Sequence, residues 1–125
     1  MRKLQLRRLR FSKEADNWLR VLKARTGVTP NVLARMGYAL SLEEPSVPDP
    51  SKFPEDSDRE ISRGTLLGEH EGLWIALLRQ RLLNDGMRDA DVDGHFRAHM
   101  NRGVVLLAQR MKSLSELQLL VPESR

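Results

Sequence analysis

The sequence predicts a mainly α single domain: a short N-terminal strand, a helix-turn-helix pair of ribbon-helix-helix-like order, and a helical C-terminal half. Three observations predict it. Polar and apolar residues alternate with period two only near the start, from Lys3 to Phe11. Apolar residues then recur at helical spacing on either side of Gly27. After a proline-rich break, helical spacing returns and holds through most of the remaining chain. The length of 125 residues suits one domain, 1–125, with a modest core.

The strand lies in KLQLRRLRF. Leu4 and Leu6 alternate with Lys3, Gln5 and Arg7, and then Arg8 and Arg10 alternate with Leu9 and Phe11. The phase changes between Arg7 and Arg8, which predicts a bulge or a late strand start. One face is apolar and the other is rich in arginine.

The helix pair follows. Ser12 is a good N-cap, and Glu14 and Asp16 occupy the first turn, where the helix dipole favours acids. Ala15, Trp18, Leu19 and Leu22 recur at helical spacing, and Gly27 suits the C-cap. Thr29 as N-cap and Pro30 at the first helical position begin the second helix. Val32, Leu33, Met36, Ala39 and Leu40 are its expected apolar side.

Residues 41–60, SLEEPSVPDPSKFPEDSDRE, carry four of the six prolines and show no periodicity, which predicts an exposed acidic loop. Its length is unusual inside a compact domain. Residues 61–120 form the helical half. A short strand at Ile61 to Thr65 is expected to pair with the first one. From Glu71, residues Trp74, Leu77, Leu78 and Leu82 share one side of a helix that Asn84-Asp85-Gly86 stops. Asp93 caps a last long helix with a stripe of Phe96, Met100, Gly103, Val104, Leu107 and Met111. Ser113 and Glu116 form a capping box for a short closing helix.

The charge is polarised. Residues 1–40 hold ten basic and two acidic side chains, a net +8; residues 41–60 sum to −5 and residues 61–125 to +1. A positive face of this kind matches a polyanion. No apolar run approaches the roughly 20 residues a bilayer span needs, and the basic N-terminus has no apolar core of a signal peptide. With no cysteine, disulfides, thiolate nucleophiles and cysteine zinc sites are excluded, in keeping with a reducing cytoplasmic setting.

Catalytic and metal motifs fail on spacing. His95 and His99 stand four apart on the last helix but lack partners for a closed zinc site, and read as solvated or hydrogen-bonded helix residues. HEGLW at His70 places Trp74 where a zinc protease needs its second histidine. Asp89, Asp91 and Asp93 lack the glycine and terminal glutamate of a calcium loop and read as a helix entry. Neither a phosphate-binding glycine loop nor a nucleophile constellation occurs. The expectation is a protein that is not an enzyme and takes no cofactor or metal.

The basic third remains. Arg8 and Arg10 share the outward face of the strand. Lys13, Arg20 and Lys23 follow at spacings of seven and three on the first helix, and Arg25 flanks the turn. These six are the candidate DNA-binding residues, because Arg and Lys neutralise phosphates and release counterions. The N-terminus of the second helix at Thr29-Pro30-Asn31 offers further backbone N–H groups. Trp18 and Trp74 both read as core, so a base-stacking platform for single strands is not expected. Duplex binding through the backbone fits better.

The stretches from Leu9 to Pro50, RGTLLGEHEGLWIALLRQRL and FRAHMNRGVVLL resemble the DndE family of bacterial DNA sulfur-modification (phosphorothioation) proteins. The resemblance runs from Leu9 to about Leu117, and RTGVTPN, SLEEP and HMNRGV are its most specific parts. It implies a small non-catalytic subunit that works with other sulfur-modification proteins to replace a non-bridging phosphate oxygen by sulfur. It also implies a homotetramer that binds double-stranded DNA, nicked duplex by preference, mainly through lysines. This chain has five lysines. The resemblance therefore carries over to Lys13 and Lys23, while Arg8, Arg10, Arg20 and Arg25 rest on charge. A ribbon-helix-helix regulator reading an operator through Arg8 and Arg10, and an adaptor docking an acidic protein, are the other readings of the residues.

Overall fold

The structure, a computed structural model, describes residues 2–88 and 90–120, with side chains through residue 115. Among them are two strands, β1 (Arg8–Arg10) and β2 (Glu60–Ser62), and five α-helices. The helices are α1 (Lys13–Thr26), α2 (Pro30–Glu43), α3 (Arg63–Leu67), α4 (Glu71–Asn84) and α5 (Val92–Leu120).

The strand starts late, at Arg8. Before it, the Arg7 carbonyl still accepts from Arg63 N–H at 2.8 Å, but residues further back do not pair in the sheet. They are held by side chains from afar: Asp93 Oδ1 accepts from the Gln5 and Leu6 N–H groups, and Arg63 donates to the Leu4 and Leu6 carbonyls. The predicted second strand pairs with the first, antiparallel, with Leu9 opposite Ile61 and Arg10 opposite Glu60. It ends at Ser62, earlier than the predicted Thr65, because the Ser62 hydroxyl accepts from Thr65 N–H and starts α3.

The helix pair forms at the predicted signals. Ser12 Oγ accepts from Ala15 N–H, Gly27 adopts φ 75° and donates to Lys23 O, and Pro30 opens α2. Only glycine takes that φ without strain. The inward side of α2 differs from expectation. Leu33, Ala34, Gly37, Tyr38 and Ser41 are buried, while Met36 is 48% exposed. The reason is the crossing with α5, which sets the rotation of α2. Gly37 and Gly103 meet there, backbone against backbone.

The core lies where α1 and α2 pack on α5, with β1 and α3 closing one end. Phe11, Tyr38 and Phe96 are fully buried, and the Tyr38 and Phe96 rings meet edge to face at 5.5 Å. Burying such side chains stabilises by about 1.5–3 kcal/mol each. The predicted α5 stripe is buried except for the half-buried Met111. Asp93 is not the cap of α5. Asp91 Oδ1 takes Gly94 N–H instead, which frees Asp93 to hold the N-terminal residues. Asp89 lies outside the described residues. The predicted closing helix is no separate element, since α5 runs unbroken through Ser113 to Leu120. On α4, Leu78 and Leu82 point inward, whereas Leu77 is 42% exposed. Trp18 and Trp74 are partly buried against the core.

Candidate nucleic-acid interface

β1 turns Leu9 into the core and leaves Arg8 exposed and Arg10 half-exposed on the other face. Two residues later α1 begins. Its seven- and three-residue spacings keep Lys13, Arg20 and Lys23 within roughly 80° around the helix axis. All three are exposed. Ribbon and helix share a border. Arg10 Nη1 donates to Ser57 O at 3.0 Å, and the hollow lined by Lys13, Asn17 and Arg20 is closed by Asp56, Ser57 and Asp58. Arg25, two residues beyond Lys23, falls roughly 200° away on the opposite side of α1. It lies with Trp18 and Lys112 instead.

The acidic segment is not simply an exposed loop. A 3-10 turn at Pro50–Lys52 begins where Asp49 Oδ1 accepts from the Ser51 hydroxyl and from Ser51 N–H, and these two hydrogen bonds, the hydroxyl's first, hold the Asp49 carboxyl below its ordinary pKa. Further on, the segment folds back over the start of α1. Ser57 is buried, and its hydroxyl donates to Phe11 O at 2.7 Å. Asp56 Oδ1 takes Lys13 N–H at 2.8 Å. Buried Asp16 pairs with Arg59 and, at 3.0 Å, with Arg20. Glu60, directly opposite on the sheet, pairs with Arg10 at 3.1 Å.

The six expected contacts therefore divide. Arg10 and Arg20 are engaged by carboxylates, and Arg25 faces away. Among the described residues, Arg8, Lys13 and Lys23 form no side-chain ion pair, and they remain the free cations of this face.

The two histidines of α5 are not solvated. His95 is 8% exposed and His99 is fully buried. His99 Nδ1 lies 2.8 Å from Ser41 Oγ, which also accepts from Arg102 Nε at 2.9 Å. Burial first, then the Arg102 and Arg81 charges, push the His99 pKa down to about 3, so the ring is neutral. Arg81 is buried alongside, paired with Asp85 at 2.8 Å and donating to the Ser41, Leu42, Pro45 and Ser46 carbonyls. These arginines satisfy the orphan carbonyls at the end of α2 and tie down the start of the acidic segment. Burial and Arg81 lower the Arg102 pKa in turn. No group of three metal-ligating side chains exists among the described residues.

Two of the three most specific stretches thus meet in space: SLEEP supplies Ser41, and HMNRGV supplies His99, Arg102 and Gly103. Asn101 of the same stretch accepts Ser12 N–H at 2.9 Å, beside the start of α1. These contacts hold α2, α5 and the start of α1 together. The spacing of His95 and His99 is a helical signal and contains nothing about burial.

The family model described as DNA sulphur modification protein DndE matches residues 8–115. The chain belongs to the DndE family. The match takes in all six candidate cations and the α2–α5 crossing. The crystal structure of DndE from Escherichia coli B7A, involved in DNA phosphorothioation modification, superposes with a TM-score of 0.65 at 25% identity. That alignment covers 81% of this chain and 95% of the E. coli protein. A DndE G21/24K mutant involved in DNA phosphorothioation has the same fold, with a TM-score of 0.64 at 22% identity over 81% of this chain and 96% of the other. No curated protein matches the chain.

Proposed function

We propose that this chain is a non-catalytic subunit of the DNA phosphorothioation machinery. In this reading it works in the cytoplasm as a homotetramer, beside other sulfur-modification proteins, and binds duplex DNA, nicked duplex included. The observation that carries the reading is the set of exposed cations with no ion pair among the described residues, Arg8 on β1 with Lys13 and Lys23 on α1. Membership of the DndE family supports the process. Exposed lysines suit positioning on phosphates, which carries no sequence information. Avidity across a symmetric assembly multiplies such weak contacts. The outward leucines of α4, Leu73 at 59% and Leu77 at 42% exposed, favour burial in an assembly. The Ser41–His99 pair is sealed in the core, out of reach of any substrate, which favours the non-catalytic role. No helix among the described residues is long and apolar enough to cross a membrane.

The test is a salt titration of binding to intact, nicked and operator-like duplexes, with sedimentation to count subunits. The reading expects similar affinity for unrelated sequences and a log–log slope of about −0.9 per phosphate contacted. Strong preference for one palindrome would instead assign a ribbon-helix-helix regulator. In that case the ribbon would have to form on the β1 edge that β2 does not use. Absence of binding at physiological salt would assign an adaptor.

A further inference from the structure

A second surface stands apart from the DNA face. α5 continues past the core, and between its end and the far side of α1 lies a groove of about 730 Å³. Its apolar lining includes Trp18 and Leu22 of α1 with Met111 and Leu114 of α5, and Arg25 and Lys112 add charge. Leu114 is 58% exposed and continues the apolar lining. Neither Arg25 nor Lys112 forms an ion pair among the described residues, and none of the described lining residues is acidic. The hollow beside Lys13 and Arg20 differs in both respects, since Asp16, Asp56 and Asp58 line it.

We propose that this groove docks an amphipathic helix with acidic flanks, contributed by another protein. An apolar channel between two helices accepts the apolar face of a third, read as anchors at i, i+3, i+4 and i+7. Among the described residues, two cations with no ion pair on a lining with no carboxylate select glutamate or aspartate beside those anchors and reject lysine and arginine. A DNA duplex is a poor occupant. It would satisfy the two cations but leave Trp18, Met111 and Leu114 against a hydrated phosphate backbone. The half-buried Trp18 ring suits the centre of such an interface. The proposal rests on this groove alone and is independent of the DNA reading.

The probe is a fluorescein-labelled helical peptide with leucines at i, i+3, i+4 and i+7 flanked by glutamates, beside a twin with lysines for the glutamates. Anisotropy with the full chain is expected to show the glutamate peptide binding about ten-fold more tightly than its twin. The double variant Arg25→Glu, Lys112→Glu is expected to reverse that order. Both positions are exposed, and circular dichroism checks that the fold is kept. Leu114→Asp is expected to abolish binding of either peptide, while DNA affinity holds in that variant. The proposal fails if wild type binds neither peptide or both alike, or if Leu114→Asp leaves binding unchanged. It also fails if Leu114→Asp breaks an assembly of this chain with which the peptide cannot compete, since that assigns the groove to a second copy.

Discussion

Gly37 and Gly103 bring α2 and α5 into backbone contact. A Cβ built on Gly37 lies 2.8 Å from Val104 N, and one on Gly103 lies 2.6 Å from Tyr38 N. Both obstacles are main chain, so neither side chain has anywhere to go. Gly37→Ala and Gly103→Ala are each expected to destabilise by about 2–3 kcal/mol, although alanine is the better helix former by about 1 kcal/mol. Urea unfolding checks this. An unchanged midpoint for both variants would show that the helices can part at no cost.

The free cations and the engaged ones are expected to respond differently to truncation. Lys13→Ala and Lys23→Ala should weaken every duplex alike and lower the salt slope by about 1 each. Arg10→Ala should have the smaller effect on DNA, because its guanidinium is committed to Glu60 and the Ser57 carbonyl. Equal slopes for wild type and the two lysine variants would rule these lysines out as phosphate contacts.

Asp58 offers a test in the opposite direction. It is exposed beside Lys13 and Arg20 and repels an approaching phosphate. Asp58→Asn is expected to tighten duplex binding about two- to five-fold at low salt, with the gain fading as ionic strength rises. Unaltered affinity would place the DNA away from this hollow.

His99 gives stability a pH dependence. Folded, its pKa is near 3; unfolded, it returns to about 6.5. The unfolded chain therefore binds the extra proton between those limits. Stability is unaffected by this group above about pH 6.5 and declines as pH falls toward 3, with a slope approaching about 1.4 kcal/mol per pH unit. His99→Gln should be less stable at neutral pH yet fall less steeply in acid, because the carboxylates titrate in both proteins. Parallel curves of stability against pH would refute the assignment.

Arg81 is the buried cation that ends α2. Arg81→Lys keeps the charge but loses the planar fork that reaches four carbonyls and Asp85. It is expected to cost about 2 kcal/mol and to expose residues 45–50 to limited proteolysis. Wild-type stability and cleavage would show that charge alone suffices there.

Local signals were legible because they act over a few residues. Ser12 and Gly27 bound α1 through their own backbone neighbours, Pro30 opens α2 by its fixed φ, and the α5 stripe follows from 3.6-residue periodicity. The order of elements and the polarised charge needed nothing else. Long-range partners decided the remainder. Met36 points outward because the Gly37–Gly103 contact sets how α2 is rolled against α5. His99 is buried because Ser41, 58 residues away, meets it at that crossing. Arg10 is neutralised because the chain returns beside it 50 residues downstream and delivers Glu60, whereas Arg20 meets Asp16 one turn away on α1 itself. Caps and periodicity are read within one turn of helix, whereas pairing of charges depends on which distant segment the packing delivers. That is why the positive charge could be counted in the chain, but which cations stay free could be learned only from the folded molecule.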